Sequence, residues 1–259
     1  MNKLIASLIM SAAFSVAGAE ERFHEFTSYK VAEETPIIPG SIYRVHQGDR
    51  PQPKRVIPPA FEAGEVVPPP SDAIVLFDGG NLDQFRPNGW LLEAGVLTAG
   101  KGGLVTKDAF GDCQFHIVWR APNPPTGKPS RMGNSGIYFM WRYELQIFDS
   151  YSCEIYADGS AGAIYGQTPP LVNASRPPGE WQTFDVIFEA PRFEGDKLIK
   201  PAYMTVFHNG ILVQDHTELF GGTTHKSIAE YSAHPNRLPL LIQGDKSPVQ
   251  FKQIWIREL

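Results

Sequence analysis

The chain from Ala73 onward is a series of short apolar runs, each ended within a few residues by Gly, Pro, Asn or Asp. Such runs predict β-strands joined by turns. No run of ten or more residues keeps the 3.6-residue period of an amphipathic helix. The 24 Gly and 23 Pro residues exceed the usual share of these residues in globular proteins. The sequence therefore predicts an all-β fold and excludes a helix bundle or coiled coil.

Predicted strands lie at residues 74–77, 90–93, 96–99, 103–105, 112–120, 135–140, 143–148, 181–189, 202–208, 211–215, 239–243 and 250–257. Two tight turns support this assignment, Glu93-Ala94-Gly95 and His208-Asn209-Gly210, because Asn-Gly is the strongest two-residue hairpin signal. Many antiparallel strands without helical crossovers indicate a sandwich or jelly roll.

The first 72 residues differ from the rest of the chain. Residues 1–19 have one early lysine, a short apolar run and an Ala-Gly-Ala cleavage site, which predicts a secretory signal peptide and a periplasmic or secreted protein. Residues 20–72 include nine prolines between Pro36 and Pro70 and predict an extended Pro-rich arm, lying on the domain or tethering it. Residues 73–259 are predicted to form a single sandwich domain. No segment is long and apolar enough to predict a membrane span.

Charge and cysteine content narrow the possible partners. The formal net charge is −5 without a block of like charges, which argues against nucleic-acid binding.

Two cysteines, Cys113 and Cys153, are too few for a disulfide framework. Cys113 shares a strand face with Phe115 and Ile117, which favours a buried free thiol over a bridge, although export would permit one.

The stretch from Tyr143 to Tyr151 is the most informative for chemistry. Strand alternation places Glu144 and Gln146 together on one face, and a bulge would return Asp149 to that face. Glu144 is then either a solvated outer-face group or part of a ligand-binding face. The spacing is similar to the Glu-x-Asp-x-x-Glu motif of sandwich-fold glucanases, whose paired carboxylates act as nucleophile and acid, but here the middle and last residues differ.

Other chemical signals are weaker. No pair of histidines has a metal-binding spacing, so a strong zinc site is not predicted. His208 and His216 are the histidines most suited to a site, because they flank a predicted hairpin near strand ends. Arg176 is followed by two prolines, which suits a rigid group that orients a sugar or a carboxylate. Nucleophile-elbow, phosphate-loop and dinucleotide motifs are absent.

Taken in order, these stretches resemble the 3-keto-disaccharide hydrolase domain family, whose fold is a concanavalin A-like lectin/glucanase jelly-roll sandwich. The matching stretches are residues 76–79, 134–137, 143–146, 149–151, 162–166, 173–181, 208–210, 213–216 and 251–259. Family members usually carry Gln-Asp-His before the last strand, where this chain has Gln243-Gly244-Asp245-Lys246.

The resemblance implies an enzyme that cleaves glycosides oxidised at C3, by 1,2-elimination followed by hydration of a 3-keto-2-hydroxyglucal. This chemistry requires a base near C2, an electrophile at the ketone oxygen and a proton donor for the leaving oxygen. The predicted catalytic residues are Glu144 or His208 as base and Asp149 as acid or metal ligand. The predicted substrate-binding residues are Gln146, Arg176, Asn173, Tyr165 and His216.

A divalent cation, Ca²⁺ or Mn²⁺, would suit the carboxylate and amide oxygens of this set. The alternative function is a non-catalytic carbohydrate-binding sandwich. An enzyme should gather Glu144, Asp149, Arg176 and a histidine within a few ångströms, whereas a binding module should show an aromatic platform without a buried carboxylate.

Overall fold

The computed structural model describes residues 35–60, 68–125 and 131–259. The strands are β1 (Lys54–Arg55), β2 (Ile74–Phe77), β3 (Leu91–Glu93), β4 (Val96–Thr98), β5 (Leu104–Phe110), β6 (Cys113–Arg120), β7 (Ser135–Phe139), β8 (Tyr143–Ile147), β9 (Val172–Asn173), β10 (Gln182–Glu189), β11 (Arg192–Glu194), β12 (Lys197–Lys200), β13 (Tyr203–His208), β14 (Ile211–Glu218), β15 (Leu238–Ile242) and β16 (Gln250–Glu258). A short 3-10 helix spans Ala157–Gly159. These residues contain no α-helix, and no helix among them could cross a membrane.

Two antiparallel sheets form the body of the molecule. The large sheet has the order β14-β13-β10-β6-β16-β4-β3, with β2 also paired to β16, and the small sheet has the order β5-β15-β7-β8. Their inner faces meet where Phe139 of β7 contacts Phe115 of β6 and Phe188 of β10, with ring centroids 5.4 and 4.9 Å apart. The fold is therefore the predicted all-β antiparallel sandwich with one shared apolar core.

Each predicted strand is present, with ends shifted by a few residues at most except in β5 and β14, which run further than predicted. Both predicted hairpins are also present, since β3 pairs with β4 and β13 pairs with β14. The sequence patterns missed four short strands, namely β1, β9, β11 and β12. Strands of two to four residues carry too few alternating positions to produce a periodic signal.

The described part of the Pro-rich segment, residues 35–60, lies against the sandwich. Strand β1 pairs in parallel with β9, and the side chain of Gln52 donates to the carbonyl of Ile155 at 2.8 Å. Val45 and Ile38 are buried, whereas Ile42 is 83% exposed. These buried side chains hold the arm against the sandwich, whereas Ile42 takes no part.

The two cysteines are both buried and free. Burial raises the thiol pKa of Cys113 and of Cys153, so both remain protonated thiols. The preference for a buried free thiol at Cys113 is confirmed. The predicted signal peptide, residues 1–19, lies outside the described residues.

Candidate functional site

The β7–β8 hairpin places a polar pair on the face of the small sheet that points away from the core. Tyr138 and Glu144 are directly opposite each other in the register, as are Gly136 and Gln146. The alternate residues of the hairpin, such as Ile137 and Leu145, belong to the apolar core. Strand alternation therefore sets Glu144 and Gln146 on one face, as predicted from the sequence.

Glu144 is a buried carboxyl group, 3% exposed, whose principal side-chain partner is the hydroxyl of Tyr138. Burial raises the pKa of Glu144 from 4.5 to about 8, and the hydrogen bond from Tyr138 opposes part of that rise. Burial and the neighbouring Glu144 carboxyl also raise the pKa of Tyr138. A carboxyl group with a pKa near working pH is suited to accept and return a proton.

Gly136 leaves the space that the Glu144 carboxyl occupies. A Cβ atom built on Gly136 would lie 2.2 Å from Glu144 Oε1 and 3.0 Å from its Cδ. Any larger residue at this position must therefore displace the carboxyl from its place beside Tyr138.

Gly136→Ala is expected to lower turnover at least tenfold while leaving the melting temperature within a few degrees. The Glu144 side chain is flexible and can swing away at little cost, but a misplaced catalytic group loses rate steeply. Turnover and thermal unfolding of the purified variant check this. Unchanged turnover would contradict the assignment of Glu144. Gly89→Ala is the matched control, because a Cβ atom at Gly89 meets no atom within 4 Å and its φ angle is not positive.

A group of aromatic and imidazole side chains borders Glu144. The backbone N–H of Tyr165 donates to the carbonyl of Glu144 at 3.3 Å, and the Tyr165 hydroxyl is 2.9 Å from the Tyr156 hydroxyl and 3.1 Å from His225 Nδ1. Burial raises the pKa of Tyr165, with a smaller contribution from the nearby Glu144 carboxyl. Tyr165, a predicted site residue, thus lies in the same neighbourhood as Glu144.

The arm supplies one member of this group, His46. Its backbone N–H and ring Nδ1 both contact Asp158 Oδ2, at 2.9 and 3.1 Å, and the N–H of Lys226 donates to ring Nε2 at 3.3 Å. The imidazole lies against the rings of Tyr156 and Tyr165, with centroids 3.9 and 5.0 Å away. The His46–Asp158 contact therefore ties the arm to the tyrosines beside Glu144.

The C-terminal end of β8 carries two oxygen atoms without a protein hydrogen bond. Asp149 Oδ1 accepts the N–H of Ser152 at 3.0 Å, while Asp149 Oδ2 and Gln146 Oε1 are buried and unsatisfied. Burial raises the pKa of Asp149. Asn173 Nδ2 donates to the carbonyl of Ser150 at 2.7 Å, which joins β9 to this strand end. Buried unsatisfied oxygens of this kind are available to a ligand.

His208 and Arg176 form a separate group that faces the sandwich interior. His208 is fully buried, its Nε2 is 3.0 Å from Gln182 Oε1, and its ring packs on Phe184 at 4.6 Å. Burial lowers the pKa of His208 to about 3, and the nearby Arg176 contributes. The imidazole is therefore neutral and points into the core, on the opposite side of the small sheet from Glu144.

Arg176 is also occupied by structural contacts. Its guanidinium donates to the carbonyl of Pro59 in the arm, and its backbone N–H donates to Gln182 Oε1 at 2.9 Å. The structure thus does not gather Glu144 with Arg176 and His208, contrary to the clustering expected from the sequence. His208 lies on β13 of the large sheet and Arg176 in the segment between β9 and β10, whereas Glu144 lies on the outer face of the small sheet.

His216 lies on the outer face of the large sheet. Its ring stacks on Tyr203 with centroids 4.4 Å apart, and Nε2 is 3.0 Å from Glu189 Oε1. The sandwich core separates this exposed cluster from Glu144. His216 therefore does not join the group around Glu144.

Few side chains near Glu144 could act as ligands of the predicted Ca²⁺ or Mn²⁺ ion. Across residues 35–60, 68–125 and 131–259, no group of three or more His, Cys, Asp or Glu is arranged to hold a metal. The two unsatisfied oxygens, Gln146 Oε1 and Asp149 Oδ2, fall short of the six to eight oxygen ligands that Ca²⁺ takes. The side chains as arranged do not fit a resident ion of this kind.

Gly244 stands where the resemblance leads us to expect an aspartate. A Cβ atom there would lie 2.0 Å from the carbonyl oxygen of Gly102 and 2.2 Å from that of Gly100, so the local backbone admits only glycine. The next residue, Asp245, accepts a hydrogen bond from Asn134 Nδ2 at 3.2 Å, at the start of β7. A carboxylate thus remains at this edge of the small sheet, one residue later.

The sequence reasoning missed Tyr138, His46, Asp158 and His225. Tyr138 had a usable signal, because the short turn between two predicted strands places it opposite Glu144. His46 and Asp158 are separated by 112 residues in the chain and had none.

A family model for the 3-keto-α-glucoside-1,2-lyase-like domain matches residues 72–257. The chain belongs to this family. The family resemblance read from the sequence is thereby confirmed, and the match covers the whole sandwich, including the β7–β8 hairpin that carries Glu144.

Solved structures agree with this assignment. One protein described as a "putative glycosyl hydrolase", from Parabacteroides distasonis, is 40% identical, with a TM-score of 0.70 over 73% of this chain and 84% of that chain. Two further structures from the same organism, at 24% and 20% identity and TM-scores of 0.55 and 0.52, cover 72% and 73% of this chain and 99% and 94% of their own, and show the shared fold. A search of curated proteins finds no match. The chain is a carbohydrate-active member of the lyase-like family, and these findings support a glycoside-acting enzyme.

Proposed function

We propose that this lyase-like family member cleaves 3-keto-glycosides or 3-keto-disaccharides by 1,2-elimination, with Glu144 as the base at C2. One observation carries the proposal: Glu144 is a buried carboxyl group with a pKa raised to about 8, held by Tyr138. Tyr138, the partner of Glu144, is half-buried and lines a pocket of about 270 Å³. Family membership supplies the substrate class.

The chemistry follows from the C3 ketone, which acidifies the proton at C2. Glu144 accepts that proton, the electron pair of the C2–H bond forms the C1–C2 double bond, and the glycosidic oxygen leaves C1 with its bonding pair. A proton donor neutralises the leaving oxygen, and water then adds to the 3-keto-2-hydroxyglucal, so that the net reaction is hydrolysis. No oxocarbenium ion is required, in contrast to the retaining glucanases, in which one carboxylate acts as nucleophile.

The remaining roles follow from placement. Gln146 shares the face of Glu144, and its amide is assigned to the ketone or a neighbouring hydroxyl group of the sugar. Asp149, whose pKa burial raises and whose Oδ2 is unsatisfied, is assigned as the acid for the leaving oxygen. His208 is omitted as a base because its imidazole faces the core and is bound to Gln182.

The pH dependence of activity and of stability should run in opposite directions. With removal of the C2 proton as the rate-limiting step, Glu144 must be ionised, so kcat/KM is expected to rise with pH through about 8 and level off above it. The folded pKa is above the unfolded value of 4.5, so this group stabilises the fold fully below pH 4.5, and that contribution is lost as pH rises through about 8.

A pH–rate profile and chemical denaturation at several pH values check both trends. Glu144→Gln should flatten the stability slope between pH 4.5 and 8. A rate that instead falls through this range would identify Glu144 as an acid and overturn its role as base.

The function itself is tested by incubating the protein with 3-ketotrehalose and with unoxidised trehalose. Turnover of the keto sugar alone, with release of glucose and appearance of the glucal intermediate, is expected. In ²H₂O, deuterium should enter at C2 of the recovered 3-keto sugar. Binding of the sugar without any turnover would favour the alternative, a non-catalytic carbohydrate-binding sandwich. A parallel reaction with a chelator tests the Ca²⁺ or Mn²⁺ ion that the sequence predicted.

We also propose that the protein is exported to the periplasm or secreted. The proposal is based on the apolar run and Ala-Gly-Ala site of residues 1–19. The N-terminal sequence of the protein isolated from its native cells should begin at Glu20. A full-length cytoplasmic protein would contradict this.

A further inference from the structure

The turn between β7 and β8 has an unusual backbone. Met140 and Trp141 have φ angles of 52° and 58°, and the N–H of Arg142 donates to the carbonyl of Phe139 at 3.0 Å. This is the geometry of a type I′ turn, whose two central positions favour Asn and Gly. Large side chains at both positions are strained, and such strain persists only where the surroundings enforce it.

The surroundings of the turn do enforce this conformation. Met140 is buried in the core, and the carbonyl of Arg142 accepts the N–H of Thr223 at 2.7 Å. Thr223 Oγ1 also accepts the N–H of Glu144 at 2.9 Å, so the turn is continuous with the candidate base. The side chain of Trp141, in contrast to that of Met140, does not pack in the core.

Trp141 is 49% exposed, with its indole beside the guanidinium of Arg86 at 5.8 Å. A tryptophan that served packing alone would be buried, and here the buried neighbour Met140 performs that role. The sequence thus maintains a strained backbone position that holds a large aromatic side chain in solvent. An exposed, rigidly held aromatic ring is typical of a binding surface.

Trp141 lines a pocket together with Tyr138, the partner of Glu144. The pocket, of about 270 Å³, is lined on the hairpin side by Tyr138, Trp141, Arg142 and Tyr143 and on the opposite side by Gly222, Thr223, Thr224, Ala229, Glu230 and Ser232. Arg142 also donates to Ser232 Oγ at 3.3 Å, which holds the two walls together. An indole, hydroxyl groups and one charge of each sign suit a neutral, polyhydroxylated ligand.

We propose that Trp141 and the residue 222–232 loop form a second sugar subsite, which holds a neutral hexose on the leaving-group side of the scissile bond. The inference rests on the proposed function, because it takes the oxidised sugar to lie at Tyr138 and Glu144. The apolar face of the leaving hexose stacks on the indole, and its hydroxyl groups pair with Glu230 and Ser232. This subsite would make the enzyme prefer a disaccharide to a simple alkyl glycoside.

The test introduces Trp141→Gly into the full-length Glu144→Gln protein, because that variant should bind the sugar without cleaving it. Binding of 3-ketotrehalose and of methyl 3-keto-α-glucoside is measured by calorimetry. Trp141→Gly should weaken disaccharide binding about tenfold and leave methyl glycoside binding within twofold. Its melting temperature should be equal or higher, because glycine adopts positive φ without strain. A structural tryptophan would instead lower the melting temperature.

Two comparisons complete the design. Trp141→Tyr should retain most of the disaccharide affinity, and Leu91→Ala, at a similarly exposed apolar side chain of β3, should change neither ligand. Equal loss for both ligands, or no loss for either, would overturn the subsite, as would a Glu144→Gln protein that binds both ligands equally. A different result would contradict the proposed function alone: the wild-type protein leaves 3-ketotrehalose uncleaved, while the binding differences between the two ligands remain.

Discussion

Replacing Glu144 with glutamine should lower turnover of 3-ketotrehalose by two to four orders of magnitude, the usual loss when a positioned acid–base group is removed. The amide has the size of the carboxyl group and cannot accept the C2 proton. At pH 7 a group with a pKa near 8 is about nine-tenths protonated, so the variant introduces no new buried charge imbalance. The fold and KM should therefore change little. Steady-state kinetics with the purified full-length chain, and thermal unfolding of the same sample, measure the two effects.

Glu93→Gln is the matched control for this substitution. Glu93 is an exposed carboxylate at the end of β3 in the large sheet, and its replacement should leave kcat unaltered. Wild-type turnover in Glu144→Gln would remove the base and with it the proposed mechanism. A loss accompanied by a large drop in melting temperature would show that Glu144 is a folding determinant and would also contradict the assignment.

Replacing His46 with alanine should destabilise the protein by about 3 kcal/mol, because it leaves the Asp158 carboxylate buried with one hydrogen bond fewer. Asp158 Oδ1 already lacks a hydrogen bond, so the variant leaves the carboxylate with the backbone N–H of residue 46 on Oδ2. The loss of the imidazole also leaves a gap beside Tyr156, at a ring separation of 3.9 Å in the native protein. Urea or thermal unfolding measures the change in free energy.

The matched control for His46→Ala is Ile42→Ala, at an exposed position of the same segment, which should have almost no effect. A double-mutant cycle isolates the contact: His46→Ala combined with Asp158→Ala should cost clearly less than the sum of the two single changes. Additive losses would show that the two residues do not interact. An unaltered stability in His46→Ala would show that the arm lies on the sandwich without supporting it.

Strand positions were predictable because alternation is a local property. The hydrophobic period of each run depends on a few neighbouring residues, and the predicted runs reappear as β2 through β8, β10 and β13 through β16. The same period places Glu144 and Gln146 on one face of β8. It failed only where strands were too short to show a period, as in β1 and β9.

The set of residues at the candidate site was less predictable, because it depends on which sheet face carries each side chain and on which distant strands lie close together. His208 looked suitable in sequence, since it lies near a strand end beside an Asn-Gly turn. In the fold its position on β13 points into the core, where Phe184 and Gln182 surround it. The pairing of Tyr138 with Glu144 required only the register of one hairpin and was within reach of sequence reasoning.

The sequence by itself determined the fold class, the family, the strand segments and the face on which Glu144 lies. These follow from short-range periodicity and from an ordered series of motifs. Only the tertiary structure decided which side chains join Tyr165 beside Glu144, because His46 and Tyr156 come from segments about a hundred residues apart. Only the fold gave Glu144 the raised pKa that suits a base, because this rise comes from burial, which is a property of the packed sandwich and not of the chain.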